Sequence, residues 1–445
     1  MLEHQVAARS STGKADHKVL DRLFTRIDGL RDELVALTKA LVCIPTVNPP
    51  GEFYEDCARL IGERLRSKGF AVEYPRATGE KADSDKYPRI NVVGRVEGQG
   101  VGPCVHFNSH IDVVEAGRGW SVDPWAGELK EGRIYGRGTC DMKGGLAASM
   151  IAVEAILTDG IEFPGAFEIS GTADEESGGW AGVGWLAKRG YFAKSHVDHV
   201  IIPEPLNQDC VCLGHRGVWW AEVESLGRVA HGSMPSLGVN AIRGMGAFIH
   251  KVEQKLYPQL HKRQTAMPVI PEGARHSTLN FNSIHGGQIE PDKDYDGAPS
   301  PVVADSCRLI LDRRYLIEED LQTVKDEIVG LLEEVRRELP EFQYRIRDLL
   351  EFAPNMIDAH DPVVRALDGA VQGVFGKPAR HLVSPGTYDQ KHIQRIGHLS
   401  SCVAYRAGIP ELAHQPDEYV VIDDMIRSAK VMAAASLALK RLISF

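Results

Sequence analysis

The stretch that most constrains the fold runs from Val105 to Gly145, where an apolar segment ends in His110-Ile111-Asp112. A turn-rich span follows, and Asp141 then stands just before residues 146–157, which are apolar nearly all round. The first segment is typical of a buried strand and the second of a buried helix. Histidine and carboxylate side chains are the ligands that zinc-type sites use. The stretch therefore predicts part of a metal site.

Strand-like and helix-like segments alternate over the first 216 residues and again after about residue 352. Apolar runs bounded by turn residues predict strands at 70–74, 90–96, 104–108, 166–171 and 200–203. Apolar residues at three- and four-residue steps predict one long helix from Leu20 to Leu41. Such alternation is typical of a sheet with helices on both faces. We therefore predict an α/β fold, with a mixed-sheet domain over residues 1–216 and 352–445.

The pattern between residues 217 and 351 differs from the pattern around it. Strands are predicted at 217–226, 279–285, 308–315 and 342–350, and helices at 240–256 and 318–339. The resulting order, β-α-β-β-α-β, is that of a ferredoxin-like domain. We expect a compact second domain inserted into the first.

Composition excludes several classes of partner. The 445 residues carry a formal net charge of -10, which argues against nucleic acid and against an anionic membrane surface. No apolar run approaches the roughly 18 residues that span a bilayer. The eight cysteines are scattered and form no dense framework, which is typical of reduced thiols. We expect a cytoplasmic protein that binds neither nucleic acid nor membrane.

Further candidate ligands follow the ends of other predicted strands. Glu175-Glu176 come shortly after one strand, Glu204 ends another, and His414 lies in a loop that continues to Glu418. Each has an ordinary structural interpretation when taken singly, since adjacent glutamates usually form a solvated surface. Their joint occurrence with the first stretch favours a two-metal site, in which each ion takes a histidine and a carboxylate, and one further carboxylate spans both ions.

These motifs resemble the co-catalytic metallopeptidase family of aminoacylases, acetylornithine deacetylases, succinyl-diaminopimelate desuccinylases and carboxypeptidase-G-type enzymes. The resemblance spans nearly the whole chain, from the segment Ile44-Pro45-Thr46-Val47-Asn48-Pro49 to Ala413-His414-Gln415-Pro416. One departure is Gly286-Gly287-Gln288-Ile289-Glu290-Pro291, which lacks the asparagine that often follows this Gly-Gly pair. That departure leaves the acyl specificity open and touches no implied ligand.

The resemblance implies two divalent metal ions per chain, Zn²⁺ in the first place and Co²⁺ or Mn²⁺ as alternatives. Glu175 is implied as the general base, and Asp112 as the residue that orients a ligand imidazole rather than as a ligand. The implied ligands are His110 and Glu204 for one ion, Glu176 and His414 for the other, and Asp141 as the bridge.

The resemblance also implies roles for residues of the inserted domain and its surroundings. In relatives, the histidine that matches His231 crosses a dimer interface to polarise the scissile carbonyl, so we expect a homodimer formed through a lid and dimerisation domain. Asn240, Arg313 and Gly386 are implied as substrate-binding residues, and arginine suits a carboxylate group. From the residues alone, Arg313 has a structural alternative, an ion pair with Glu318 or Glu319.

The implied reaction is hydrolysis of the amide bond of an N-acyl amino acid or a related small amide, as in deacetylases and desuccinylases. Two alternatives stay open. One is a dipeptidase or carboxypeptidase of the same family. The other is a non-catalytic binding protein on the same fold, which would have lost a ligand or the base.

Overall fold

The computed structural model describes residues 17–269, 272–287, 300–406 and 408–445. Two compact units divide the chain. The first runs to Gly214 and includes Ile357–Leu382 and Tyr388–Phe445, and the second comprises His215–Met356 and Val383–Thr387. The short segment 383–387 therefore belongs to the second unit, whereas the sequence pattern grouped it with the first.

Helices and strands alternate along both units. The strands are β1 (Ala71–Glu73), β2 (Val92–Glu97), β3 (Cys104–His110), β4 (Glu128–Lys130), β5 (Arg133–Tyr135), β6 (Ala166–Thr172), β7 (His199–Ile202), β8 (Cys210–His215), β9 (Gly217–Leu226), β10 (Thr278–Gly286), β11 (Ser306–Tyr315), β12 (Gln343–Phe352), β13 (Asn355–Met356), β14 (Arg380–Ser384), β15 (Cys402–Ala404) and β16 (Tyr419–Val421). The helices are α1 (17–29), α2 (Arg31–Val42), α3 (Tyr54–Ser67), α4 (Gly144–Thr158), α5 (Trp185–Lys188), α6 (Ala241–Lys251), α7 (Tyr257–Leu260), α8 (Leu321–Glu338), α9 (Pro362–Phe375), α10 (Gln390–Arg395) and α11 (Ile422–Leu439).

The first unit is built on a mixed sheet with strand order β1-β2-β6-β3-β7-β15-β8. β3 runs parallel to β6 and β7, whereas β2 is antiparallel to β6 and β15 is antiparallel to β8. Every residue of β3 and β6 is buried, and α4 and α11 contribute almost entirely apolar faces to the same core. Strands buried on both faces are typical of an α/β layer structure, so the predicted α/β fold is confirmed.

The N-terminal helix differs from its prediction because it is two helices, α1 and α2, rather than one. The break falls at Leu30, whose φ and ψ of -95° and 11° lie outside the helical range. Gly29 directly precedes the break, and glycine weakens a helix interior by about 1 kcal/mol relative to alanine. The apolar stripe nevertheless continues across the break, since Ile27, Leu30 and Leu34 are all buried.

The second unit has an antiparallel four-stranded sheet with order β10-β11-β9-β12. Its core joins apolar residues of α6 and α8 to the sheet. Both helices begin at a side-chain cap, since Asn240 accepts from the Arg243 N–H and Asp320 accepts from the Thr323 N–H. Apart from the single-turn α7, which follows α6, the chain order is β9-α6-β10-β11-α8-β12, and the predicted ferredoxin-like arrangement is confirmed.

A small third sheet with order β16-β5-β4 belongs to the first unit. Val420 of β16 pairs with Ile134 of β5, so the chain just before β16 lies beside the chain just after β5. That pairing brings the His414 loop next to the turn that contains Asp141. Within the part of the chain that the structure describes, every helix is too short or too polar to cross a membrane.

Candidate metal centre

Three neighbouring strands supply candidate ligands at one edge of the sheet. β3, β6 and β7 run parallel, so their carboxyl ends meet at the same edge. His110 is the last residue of β3, Glu175 and Glu176 follow β6, and Glu204 follows β7. These side chains converge because the topology places the strand ends together.

Two groups of ligand atoms form at this edge, and they share Asp141. His110, Asp141 and Glu204 make one group, and Asp141, Glu176 and His414 make the other, with the ligand atoms of each group within 4.8 Å of one another. His110 Nε2 lies 3.0 Å from Asp141 Oδ1 and 3.8 Å from Glu204 Oε1. His414 Nε2 lies 3.0 Å from Glu176 Oε1 and 3.5 Å from Asp141 Oδ2. Each carboxylate oxygen of Asp141 thus faces a different histidine, and Asp141 belongs to both groups.

The crowded carboxylates at this edge of the sheet favour the binding of cations. Burial and the nearby charge of Asp141 raise the pKa of Glu204 well above its usual value, and burial raises the pKa of Glu176 to about 7. Hydrogen bonds that His414 donates to Asp141 and Glu176 raise its pKa to about 10. Carboxylates crowded in this way repel one another, and divalent ions stabilise their charged forms. The donor set, two imidazoles and three carboxylates, therefore fits two divalent metal ions.

Asp112 connects one histidine to the glutamate pair without joining either ligand group. Its carboxylate accepts from the backbone N–H groups of Glu175 and Glu176 at 3.1 and 3.0 Å, and from Asn48 Nδ2 at 2.9 Å. His110 Nδ1 lies 3.0 Å from the Asp112 carbonyl oxygen and 3.5 Å from its Oδ1. Burial would raise the pKa of Asp112, but its hydrogen bonds, with His110 foremost, hold that pKa below the usual value. One buried carboxylate thus fixes both a ligand imidazole and the Glu175–Glu176 turn.

A buried ion pair holds the backbone at Asp141 and the His414 loop. Glu418 Oε1 accepts from the backbone N–H groups of Cys140 and Asp141 at 2.7 and 3.1 Å. Its Oε2 lies 2.5 Å from Arg137 NH1, and Arg137 NH2 donates to the His414 carbonyl at 3.2 Å. Arg137 and Glu418 are not among the site residues predicted from the sequence, although both stand inside the motifs that carry the candidate ligands. No local spacing could show that these two residues pair.

Glu175 has a different partner from Glu176. Its Oε1 accepts from Lys391 Nζ at 2.6 Å, and it belongs to neither ligand group. Lys391 lies in α10 and its side chain is buried. Lys391 is not among the site residues predicted from the sequence, and it lies 216 residues away from Glu175. The glutamate pair is therefore divided between one carboxylate among the ligands and one held by an ammonium group.

In the second unit, His231 is exposed and its ring is oriented by its own turn. Nδ1 of His231 accepts from the Ser233 N–H at 3.2 Å and lies 2.8 Å from Ser233 Oγ. Because Nδ1 accepts a hydrogen bond from an N–H, the proton of the neutral ring lies on Nε2. Asn240, predicted as a substrate-binding residue, uses its Oδ1 to cap α6. His231 thus keeps its Nε2–H group available as a donor, whereas the side-chain oxygen of Asn240 is occupied in capping α6.

Arg313 adopts the structural alternative that its sequence left open. Its side chain is fully buried, and NH2 lies 2.8 Å from Glu319 Oε1. Alternation along β11 turns Arg314 to the opposite face, where it stays partly exposed and pairs with Asp312 at 2.7 Å. At Gly386, an added Cβ would meet only Ser384 Oγ, at 3.8 Å, so the position has open space beside it. The segment around Glu290 lies outside the described residues.

Comparisons with known proteins agree with this geometry. The chain matches peptidase family M20/M25/M40 over residues 106–438. It is 28% identical over 414 residues to a succinyl-diaminopimelate desuccinylase of Methylobacterium radiotolerans, with 89% of this chain and 94% of the relative covered. It is 27% identical over 443 residues to the N-formyl-4-amino-5-aminomethyl-2-methylpyrimidine deformylase of Bacillus subtilis, with 92% and 94% covered. The crystal structure of human carnosine dipeptidase 1 aligns with a TM-score of 0.78 at 20% identity, covering 95% of this chain and 99% of that one.

Together with the matched family and the similar desuccinylase and deformylase, the mixed α/β sheet and the paired ligand groups that share one carboxylate identify a metal-dependent hydrolase of amide bonds. The chain belongs to peptidase family M20/M25/M40. The predicted family and the predicted hydrolysis of carbon–nitrogen amide bonds are thereby confirmed.

Proposed function

We propose that this protein hydrolyses the amide bond of an N-acyl amino acid or a related small amide. The observation that carries the proposal is the division of the glutamate pair, in which Glu176 lies among the ligand atoms and Glu175 stays outside them. A free carboxylate beside a cationic centre is what a general base requires. The names of the similar desuccinylase and deformylase support removal of a small acyl group.

The residues of this chain divide the work of hydrolysis between them. His110, Glu204, Glu176, His414 and the shared Asp141 would hold two divalent ions. Bound ions supply Lewis acidity, which polarises a carbonyl and lowers the pKa of water. Glu175 takes a proton from the attacking water as its oxygen bonds to the amide carbon. The same carboxyl group returns that proton to the amine nitrogen as the carbon–nitrogen bond breaks, which releases an acid and an amine.

Residues of the second unit are proposed to bind and polarise the substrate. His231 donates from Nε2 to the oxyanion of the tetrahedral intermediate, a role that its Nδ1 contact with Ser233 supports. Arg313 is fully buried against Glu319, whereas its neighbour Arg314 is partly exposed, so we propose Arg314 as the group that exchanges its ion pair with Asp312 for a substrate carboxylate. Gly386 offers open space for the substrate.

The metal, the assembly and the location are also proposals. We propose Zn²⁺ as the native metal, since two imidazoles with carboxylates suit it, and Co²⁺ or Mn²⁺ as substitutes. We propose a homodimer joined through the second unit, where Val229, Leu237 and Ile242 are exposed apolar residues. All eight cysteines lie in the described part of the chain and none forms a disulfide, which supports a cytoplasmic location. Elemental analysis and light scattering on the purified protein test the metal and the dimer.

The base assignment is tested with Glu175→Gln. We expect turnover to fall by about 10²–10⁴-fold, the usual contribution of general acid–base catalysis, while the metal content stays near two ions per chain. Glu176→Gln serves as the matched control, because removing a ligand charge should lower the metal content itself. Loss of metal from the Glu175→Gln variant would make Glu175 a ligand and overturn the assignment.

The substrate class is tested with N-acetyl, N-formyl, N-succinyl and N-carbamoyl amino acids beside a set of dipeptides. Release of a simple acid together with an amino acid supports the deacylase. Release of two amino acids supports the alternative, a dipeptidase or carboxypeptidase, which the likeness in fold to human carnosine dipeptidase 1 favours. A protein that binds no Zn²⁺, Co²⁺ or Mn²⁺ and hydrolyses neither set is a non-catalytic member of the fold.

A further inference from the structure

A buried ammonium group stands beside the proposed general base. The Lys391 side chain is only 2% exposed, and its Nζ lies 2.6 Å from Glu175 Oε1. Burying a lysine is costly unless a carboxylate and further hydrogen bonds compensate the lost hydration. The proposed steps of hydrolysis do not involve Lys391. A buried charge that contacts the reacting carboxylate therefore needs an explanation of its own.

The sheet itself fixes the start of the helix that carries Lys391. Asp389 stands directly before α10, and its Oδ2 accepts from Asn108 Nδ2 at 2.9 Å and from Thr172 Oγ1 at 3.4 Å. Asn108 lies in β3 and Thr172 ends β6, so both contacts reach the strands that lead to the metal centre. Ser170 Oγ in turn donates to Asn108 Oδ1 at 2.8 Å. The position of α10 is thus set by the same two strands that place His110 and the glutamate pair.

A second set of hydrogen bonds holds the same helix from its other side. Gln390 Nε2 donates to the carbonyl oxygens of Leu213 at 3.2 Å and Cys402 at 2.6 Å. Leu213 belongs to β8 and Cys402 to β15, which are neighbours in the sheet. Asp389 and Gln390 together tie the start of α10 to four strands. Lys391 therefore projects from a rigid support rather than from a mobile surface helix.

The Glu175 side chain has three rotatable bonds, and its backbone is already fixed by the Asp112 carboxylate. We propose that Lys391 is a positioning residue for the base: its ammonium group holds Oε1 of Glu175, which leaves Oε2 to exchange the proton with water and amine. The inference rests on the proposed function, since it gives Lys391 a role only if Glu175 is the base. Rigid support of this kind matters because a misplacement of about 1 Å can cost about 100-fold in rate.

The test compares Lys391→Met with Lys391→Arg on the full-length, metal-loaded protein. Methionine fills similar space without charge or donors, so kcat should fall by about 10–100-fold while KM and the metal content stay unchanged. Arginine keeps the charge and the donors, and should restore most of kcat. The matched control is Lys430→Met, which removes a lysine 2.7 Å from Asp28 at the α11 surface and should leave kcat unchanged.

A double variant separates action through Glu175 from an independent effect. Combining Lys391→Met with Glu175→Gln should be no slower than Glu175→Gln alone, because the base that Lys391 positions is already gone. Losses that multiply would overturn the inference, and so would an unchanged kcat in Lys391→Met. A Lys391→Arg variant as slow as Lys391→Met, or metal loss from either variant, would show a structural role instead. If Lys391→Met does not fold, Lys391→Gln replaces it in the same comparison.

The wild-type protein distinguishes this inference from the proposed function. Absence of turnover by the wild type across both substrate sets counts against the hydrolase itself. Turnover by the wild type that Lys391→Met retains in full counts against Lys391 alone.

Discussion

The buried pair of Arg137 and Glu418 gives the sharpest test of how the metal centre is held. The two side chains are 2% and 0% exposed and 2.5 Å apart. Arg137→Met removes the guanidinium and leaves Glu418 buried without its counter-ion. Breaking a buried ion pair from one side costs about 3–5 kcal/mol, whereas a single hydrogen bond contributes about 1 kcal/mol. We therefore expect the free energy of unfolding to fall by about 3–5 kcal/mol, most of it from the uncompensated carboxylate.

The same variant should weaken metal binding, because Glu418 orients the backbone at Asp141 and Arg137 holds the His414 carbonyl. Partners that orient metal ligands typically contribute about 10–100-fold to affinity. Urea unfolding of metal-free protein measures the first effect. Competition with a coloured chelator measures the second. Both effects should appear in one variant, since one ion pair supports both ligands.

Two further variants decide whether the stated cause is right. Arg137→Met combined with Glu418→Leu removes both charges, so it should be more stable than Arg137→Met alone. Arg59→Met breaks an exposed pair of the same 2.5 Å length with Glu55, and should leave the unfolding midpoint unchanged. A loss below about 1 kcal/mol in Arg137→Met, or no recovery in the double variant, would refute the reasoning from a buried uncompensated charge.

Two other predictions concern a close contact of α4 and a buried glutamate of β6. A Cβ at Gly145 would collide with the carbonyl oxygen of Pro203, which directly precedes Glu204. Gly145→Ala should therefore displace Glu204 and lower the metal content after dialysis. Gly29→Ala is the control and should leave the metal content unchanged, because a Cβ there meets nothing within 4 Å. Burial would raise the pKa of Glu168, but neighbouring histidines hold it well below its usual value. Its stabilising effect is therefore present above the unfolded pKa of about 4.3 and is lost as pH falls through the folded pKa. Urea midpoints below pH 5 should thus fall more steeply in the wild type than in Glu168→Gln, and equal slopes would contradict this.

The sequence predicted both folds because each follows from a local pattern. Buried strands that alternate with apolar helices specify the α/β layers, and the order β-α-β-β-α-β specifies the inserted domain. The convergence of His110, Glu175 and Glu204 follows from the same pattern, since parallel strands end at one edge of the sheet. The break at Leu30 was not predicted, because the apolar period runs through it and only Gly29 marks it.

Side-chain partners far apart in the sequence could not be predicted. Arg137 and Glu418 are separated by 281 residues, and Glu175 and Lys391 by 216. No periodicity links such pairs, because their contact depends on the register of several strands and the placement of α10. Arg313 shows the same limit on a smaller scale. Alternation separates it from Arg314, but only the packing of α6 and α8 against the sheet decides which face is buried.

The buried cations near the metal centre pair with carboxylates other than the candidate metal ligands. Lys391 pairs with Glu175 and Arg137 pairs with Glu418, and both acids lie outside the ligand groups. The carboxylates inside the groups instead face imidazoles, which are neutral when they bind a metal. These carboxylates are Asp141, Glu176 and Glu204, and the imidazoles that they face are those of His110 and His414. Their negative charge is thus left for divalent ions, while the lysine holds Glu175, the proposed base, and the arginine holds the turn that contains Asp141.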